Sequence, residues 1–151
     1  MAINPLLHYI AYGQGEGRIA SLTGNAATAD PLIDTAFYDK QIGATLSPTG
    51  IAGQQQATAN YDAAGWHLGL NPDAFFDTKY YLSHNPDVAA AQLNTIQHFE
   101  QYGWHENRNP SAQFSTARYL AAYSDVRAAN VDPLEHFLVF GQTEGRTAFA
   151  V

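Results

Sequence analysis

Phe76-Asp77-Thr78-Lys79-Tyr80-Tyr81-Leu82 returns 38 residues later as Phe114-Ser115-Thr116-Ala117-Arg118-Tyr119-Leu120. The match continues without a gap through Asp87-Val88 and Asp125-Val126, then His98-Phe99 and His136-Phe137. It ends on Gly103, Glu106 and Arg108 against Gly141, Glu144 and Arg146. Over 76–108 against 114–146, 13 of 33 positions are identical. A fixed internal period decides architecture before any other signal does.

Two further copies are degraded. A half unit at 3–18 keeps Asn4-Pro5-Leu6-Leu7-His8-Tyr9, Gly13, Glu16 and Arg18. A divergent unit at 33–70 opens with Ile33-Asp34-Thr35-Ala36-Phe37-Tyr38. It closes with Tyr61-Asp62-Ala63-Ala64-Gly65-Trp66-His67, which matches Phe99 to His105. Its middle, Gly43 to Gln56, is five residues longer than the same stretch of the next unit. It lacks the Asp-Val pair and the Glu-x-Arg ending. Residues 19–32, rich in Ala, Thr, Gly and Asn, read as a linker.

Each unit reads as three short helices. Asp34, Asp77 and Ser115 are strong N-caps. Each follows an apolar residue (Ile33, Phe76, Phe114) and precedes an aromatic four positions on (Tyr38, Tyr81, Tyr119), the spacing of a hydrophobic staple. A second helix starts at Asn85-Pro86-Asp87, with a weaker cap at Tyr123-Ser124-Asp125 in the last unit. The third starts at Asn4-Pro5, Asn94-Thr95 and Asp132-Pro133, with proline suited to the first helical position. Its apolar stripe is Ile96, Phe99 and Tyr102, then Leu134, Phe137 and Phe140. Gly13, Gly65, Gly103 and Gly141 are expected to end it as C-cap glycines. No period-two strand pattern occurs in the units. One unit cannot bury its apolar face alone, so an all-α fold is expected. The 38-residue units should stack as a small solenoid or a compact bundle within one domain, 1–151.

Composition narrows the function. Apolar residues make up 46% and charged residues 14%, the balance of a packed chain rather than a disordered one. A net charge of −7 with seven scattered basic residues disfavours nucleic acid and anionic membrane surfaces. No run is long and apolar enough for a membrane-inserted helix. With no cysteine, disulfides, thiolate zinc sites and cysteine nucleophiles are excluded. The N-terminus has neither the basic start nor the apolar core of a signal peptide. The chain is therefore expected to be cytosolic, to be exported by a route that needs no such signal, or to be a fragment of a longer protein.

No catalytic motif is present: no Gly-x-Ser-x-Gly, His-Glu-x-x-His or phosphate loop. A hydrolase using Asp77 or Glu106 with a histidine would need two unrepeated carboxylates, and here the acids mostly recur with the unit. No cofactor and no metal are expected. Calcium wants six to eight oxygens from a tight loop, and Asn85-Pro86-Asp87 offers few. His8, His98 and His136 recur, which suits a packing role at the edge of the stripe. The Glu106/Arg108 and Glu144/Arg146 pairs are expected to bond between units, with Asp87 and Asp125 as partners. What differs between units is Trp66-His67 and Trp104-His105. With Arg108, these residues form the ligand site read from the sequence: an aromatic ledge on which a sugar ring could stack. Trp rings filling the seam between units are the opposing reading.

The signature Phe-Asp-Thr-x-x-Tyr-Leu-x-x-Asn-Pro-Asp-Val, then Asn/Asp-Pro-Leu-x-His-Phe/Tyr, then Gly-x-x-Glu-Gly-Arg, stands here at 76–108, 114–146 and 4–18. It resembles tandem helical repeats of large bacterial proteins. Such repeats accompany type I-secreted surface proteins with calcium-binding repeats, and some surface-polysaccharide glycosyltransferases. The resemblance implies an extracellular or cell-surface setting and carries no activity and no catalytic residue. A non-catalytic binding or adhesion module is therefore expected, with a glycan or cell-surface polysaccharide as ligand. The alternative is a structural spacer or self-assembly module of a surface layer or biofilm matrix, with neighbouring repeats or a second copy as partner.

Overall fold

The computed structural model describes residues 29–43 and 50–151. The half unit at 3–18 and most of the 19–32 linker lie outside the described residues. Eight helices form the described part, with no strand among them and two isolated bridges, Asp73 to Phe76 and Ser111 to Phe114. The helices are α1 (Thr35–Ile42), α2 (Ile51–Asn60), α3 (Thr78–His84), α4 (Pro86–Ala90), α5 (Thr95–His98), α6 (Thr116–Ala122), α7 (Ser124–Ala129) and α8 (Pro133–His136). The fold is all-α, as the sequence predicts.

The first helix of each unit starts where the caps lie. The side chains of Asp34, Asp77 and Ser115 accept from the amides of Phe37, Tyr80 and Arg118 at 3.1, 3.0 and 3.4 Å. The staples close as well: Phe76 meets Tyr81 at 5.3 Å and Phe114 meets Tyr119 at 5.1 Å between ring centroids. Asp77→Ala should therefore cost about 1 kcal/mol, the usual worth of an N-cap, read as a shifted urea midpoint. An unchanged midpoint would mean that the staple alone holds the entry of α3.

The cap residue's own amide is bonded too. Asp34 N–H donates to the Pro72 carbonyl, Asp77 N–H to Pro110 and Ser115 N–H to Ala148, at 3.0, 3.0 and 3.2 Å. The start of each unit is thus held by residues just beyond its end.

The ending departs from expectation. The last helix of each unit does not stop at its glycine. It widens into a π turn at Tyr61–Gly65, Phe99–Gly103 and Phe137–Gly141. There the Trp66, Trp104 and Gln142 amides reach back five residues to the Tyr61, Phe99 and Phe137 carbonyls. The left-handed residue comes four positions later, at Gly69, Asn107 and Gly145, with φ of 73°, 57° and 71°. The Leu70, Arg108 and Arg146 amides then bond the Gly65, Gly103 and Gly141 carbonyls at 2.9, 2.9 and 2.8 Å. Gly69, Asn107 and Gly145 bond the Trp66, Trp104 and Gln142 carbonyls. These two bonds are the Schellman ending, with Gly or Asn at its left-handed position.

Gly65, Gly103 and Gly141 therefore serve packing. A Cβ there would strike the hydroxyl of Tyr38, Tyr81 or Tyr119. The extra residue of the π turn also rotates the stripe. Ile96, Phe99 and Leu134 are fully buried and Phe137 nearly so, but Tyr102, expected in the core, is 57% exposed.

Candidate functional site

The five residues that the sequence offers for ligand binding are found in two different settings. Trp66 and Trp104 follow the π turn directly, and they are only 8% and 7% exposed. Each indole N–H donates to the carbonyl four residues back, Asp62 at 3.2 Å and Glu100 at 2.9 Å. His67 and His105 are exposed, and each lies over the neighbouring indole at 3.6 Å between ring centroids. One face of each indole is therefore covered by the protein's own imidazole.

Arg108 is turned elsewhere. Its Nη1 and Nη2 form a fork on Asp87, both at 2.8 Å, and Nη1 also donates to Asn85 Oδ1 at 2.9 Å. Nε donates to Glu106 at 2.6 Å. Four of its five N–H donors are engaged. Arg146 repeats the fork on Asp125 and the bond to Glu144, and lies over the Tyr123 ring at 4.7 Å. The partners are those expected, but the pairs close within a unit rather than between units. Arg108 holds the Asp87 carboxyl down near a pKa of about 2, and Arg146 lowers Asp125 in the same way. The second helices need this anchoring, because neither Asn85 nor Tyr123 caps one with its side chain.

The recurring histidines also bond inside a unit. His98 Nδ1 meets the Tyr81 hydroxyl at 2.8 Å, and His136 Nδ1 meets that of Tyr119 at 2.9 Å. In the divergent unit Asn60 takes this place for Tyr38, at 2.6 Å. Burial lowers the pKa of both histidines, so they stay neutral near pH 7.

Between units the bonds are different. Tyr61 Oη contacts Thr78 Oγ1 at 2.6 Å and Thr95 Oγ1 at 2.7 Å. Thr78 gives its proton to the Leu70 carbonyl, so Tyr61 donates to Thr78 and Thr95 donates to Tyr61. Asn94 Nδ2 donates to Asp62 Oδ1 at 2.7 Å. Ser111 Oγ donates to the Phe75 carbonyl at 2.6 Å.

Sequence reading missed the buried acids. Asp73 accepts from the Phe75 and Phe76 amides with Oδ1, while its buried Oδ2 has no partner, and burial pushes its pKa to about 7. Its equivalent, Ser111, is neutral, so no repeated pattern flags it. An open cleft of about 200 Å³ lies between Pro31, Asp34, Leu138, Val139 and Gln142, with Asp34 already used as a cap. Among the described residues no group of three or more His, Asp or Glu is arranged to hold a metal. None of the described helices is long and apolar enough to cross a membrane.

Comparison of the chain with protein-family models, curated proteins and solved structures found no match.

Proposed function

We propose that the chain is a non-catalytic repeat module of a secreted or cell-surface bacterial protein. It acts as a structural spacer or self-assembly element of a surface layer or biofilm matrix. Its units stack on one another as a small solenoid or a compact bundle. One observation supports this reading best: the polar groups that recur with the period are engaged with each other in the same way in successive units. Arg108 with Asp87 and Arg146 with Asp125 pin the second helices. Tyr81 with His98 and Tyr119 with His136 tie the first helix to the third. A group that repeats as a bond of the fold is not held ready for a substrate. The bacterial surface setting rests on the resemblance of the repeat signature.

The glycan reading keeps a narrower support: exposed His67, His105 and Tyr102, on a chain whose repeated shape could meet a repeating polymer. Trp104→Ala separates the two readings. As a packing residue, Trp104 is worth about 2–3 kcal/mol, below the usual range for a core Trp because it lies at the rim. The variant should then melt well below the parent, and a glycan array should give no signal for the parent. The assembly reading fails if the parent binds one class of glycan while Trp104→Ala loses binding and melts within about two degrees of it.

A further inference from the structure

The seam between 33–70 and 76–108 and the seam between 76–108 and 114–146 use equivalent positions, each 38 residues apart. In the first, the Asp62 carboxylate receives hydrogen bonds from the side-chain amides of Asn94 and Gln97. In the second, Glu100 stands for Asp62, Asp132 for Asn94 and Glu135 for Gln97. Both amide donors have become acids. The hydroxyl bonds of the seam change with them: Tyr61, bonded to Thr78 at 2.6 Å and to Thr95 at 2.7 Å, gives way to Phe99, and Thr95 to Pro133, neither of which has a hydroxyl.

Glu100 is met by the carboxyls of Asp132, Glu135 and Asp30, and its side chain is hydrogen-bonded to that of Asp30. Asp30 also faces Asp62 and Glu135, and Asp132 faces Glu135 and Asp30. Asp132 is 7% exposed; its Oδ1 caps α8 and its buried Oδ2 has no partner. His136, next to Glu135 in the chain, is turned to Tyr119 and senses Arg146, Glu144 and Asp125 instead. An ionised carboxylate only accepts, so two carboxyls bond each other only when one carries a proton. A protonated carboxyl has the shape and the donor of the amide it replaces.

We propose that protons stand in for the missing amide donors, so that the seam between 76–108 and 114–146 is closed at mildly acidic pH and loosens as pH rises past neutral. Burial drives the acids the same way as their mutual repulsion. It pushes Asp30 from 3.8 to about 7, and raises Glu100 and Asp132 well above the ordinary carboxylate range. Asp62 is raised by burial too, but its two amides pull it back. A carboxyl whose pKa is higher folded than unfolded binds its proton more firmly in the fold. Its stabilising share is complete below the unfolded value and is lost as pH rises through the folded one. For Asp30 the window runs upward from 3.8 through about 7.

The test is thermal melting of the full chain from pH 5 to 8.5, for the parent and for the double variant Asp132→Asn/Glu135→Gln. That variant rebuilds the amides of the first seam in the second. The parent midpoint should fall by about 5 °C or more over this range. The double variant should fall less steeply than the parent, with Asp73 and Asp30 keeping a share of the slope in both, and should melt above the parent at pH 8.5. If it does not fold, Glu100→Gln should flatten the curve instead. In the parent, amide exchange at residues 95–103 and 134–141 should quicken with pH beyond its chemical rate. A flat or rising parent curve, variants as steep as the parent, or quickened exchange confined to other helices would overturn the proposal. So would calcium that removes the fall, or EDTA that deepens it, since the cluster would then be held by a cation rather than by protons.

Discussion

Phe137→Ala should destabilise the chain by about 3–5 kcal/mol. Total stabilities of single domains run to about 5–15 kcal/mol, so this one truncation removes about a fifth of the margin or more. Phe137 opens the last π turn and is 4% exposed. Its ring meets Phe114 at 5.6 Å and Tyr119 at 5.9 Å within its own unit, and Phe75, just ahead of the preceding unit, at 4.8 Å. The cavity would open where two units meet, and rigid rings on three sides cannot collapse into it. Urea unfolding measures the loss. A variant within about 1 kcal/mol of the parent would show that this ring is not central to the core.

Gly103→Ala should destabilise by about 3 kcal/mol, against the ordinary rule for helices. In an open helix the same change gains roughly 0.5–1 kcal/mol. Here the new methyl group would fall on the Tyr81 hydroxyl and lie 3.2 Å from the Phe99 ring. Tyr81 cannot swing away. It is fully buried, its ring lies 5.3 Å from Phe76 and its hydroxyl is tied to His98 at 2.8 Å. Tyr81→Phe on the Gly103→Ala background should recover part of the loss, because it removes the struck oxygen. A double-mutant cycle over these two sites in urea should give a coupling of about 1 kcal/mol or more. A Gly103→Ala chain more stable than the parent would rule out the contact.

Much of this fold was legible in the chain because its signals are local. Asp77 and Ser115 cap what their spacing says they cap, and Phe76 and Tyr81 meet as an N′–N4 pair should. The period itself paired Asp87 with Arg108, since both recur together. The glycines misled. A glycine after an apolar helix reads as a C-cap, whereas Gly103 is small for the sake of Tyr81, 22 positions earlier. No local pattern encodes that contact, and the π turn that makes it also carries Tyr102 out of the expected stripe. The setting of the aromatic pair was hidden for a related reason. Nothing in the spacing of Trp104-His105 tells whether the imidazole lies beside the indole or on it. The two acids facing Glu100 were visible as letters, but their meaning depends on the neighbouring seam, where Asn94 and Gln97 do the same work uncharged.

The amide of each unit's first cap reaches a carbonyl just past that unit's end: Asp34 to Pro72, Asp77 to Pro110, Ser115 to Ala148. The first of these closures encloses a unit whose middle is five residues longer than the next, yet the bond is made at the same 3.0 Å as in its neighbour. Closing a loop longer by so little costs only about 0.1 kcal/mol in chain entropy. The clasp therefore does not measure the thread it encloses. Between α1 and α2, and at Gln92-Leu93 in the next unit, the module can accept new length and new chemistry while its joints keep their register. Units of this kind can lengthen inside the clasp and still close it.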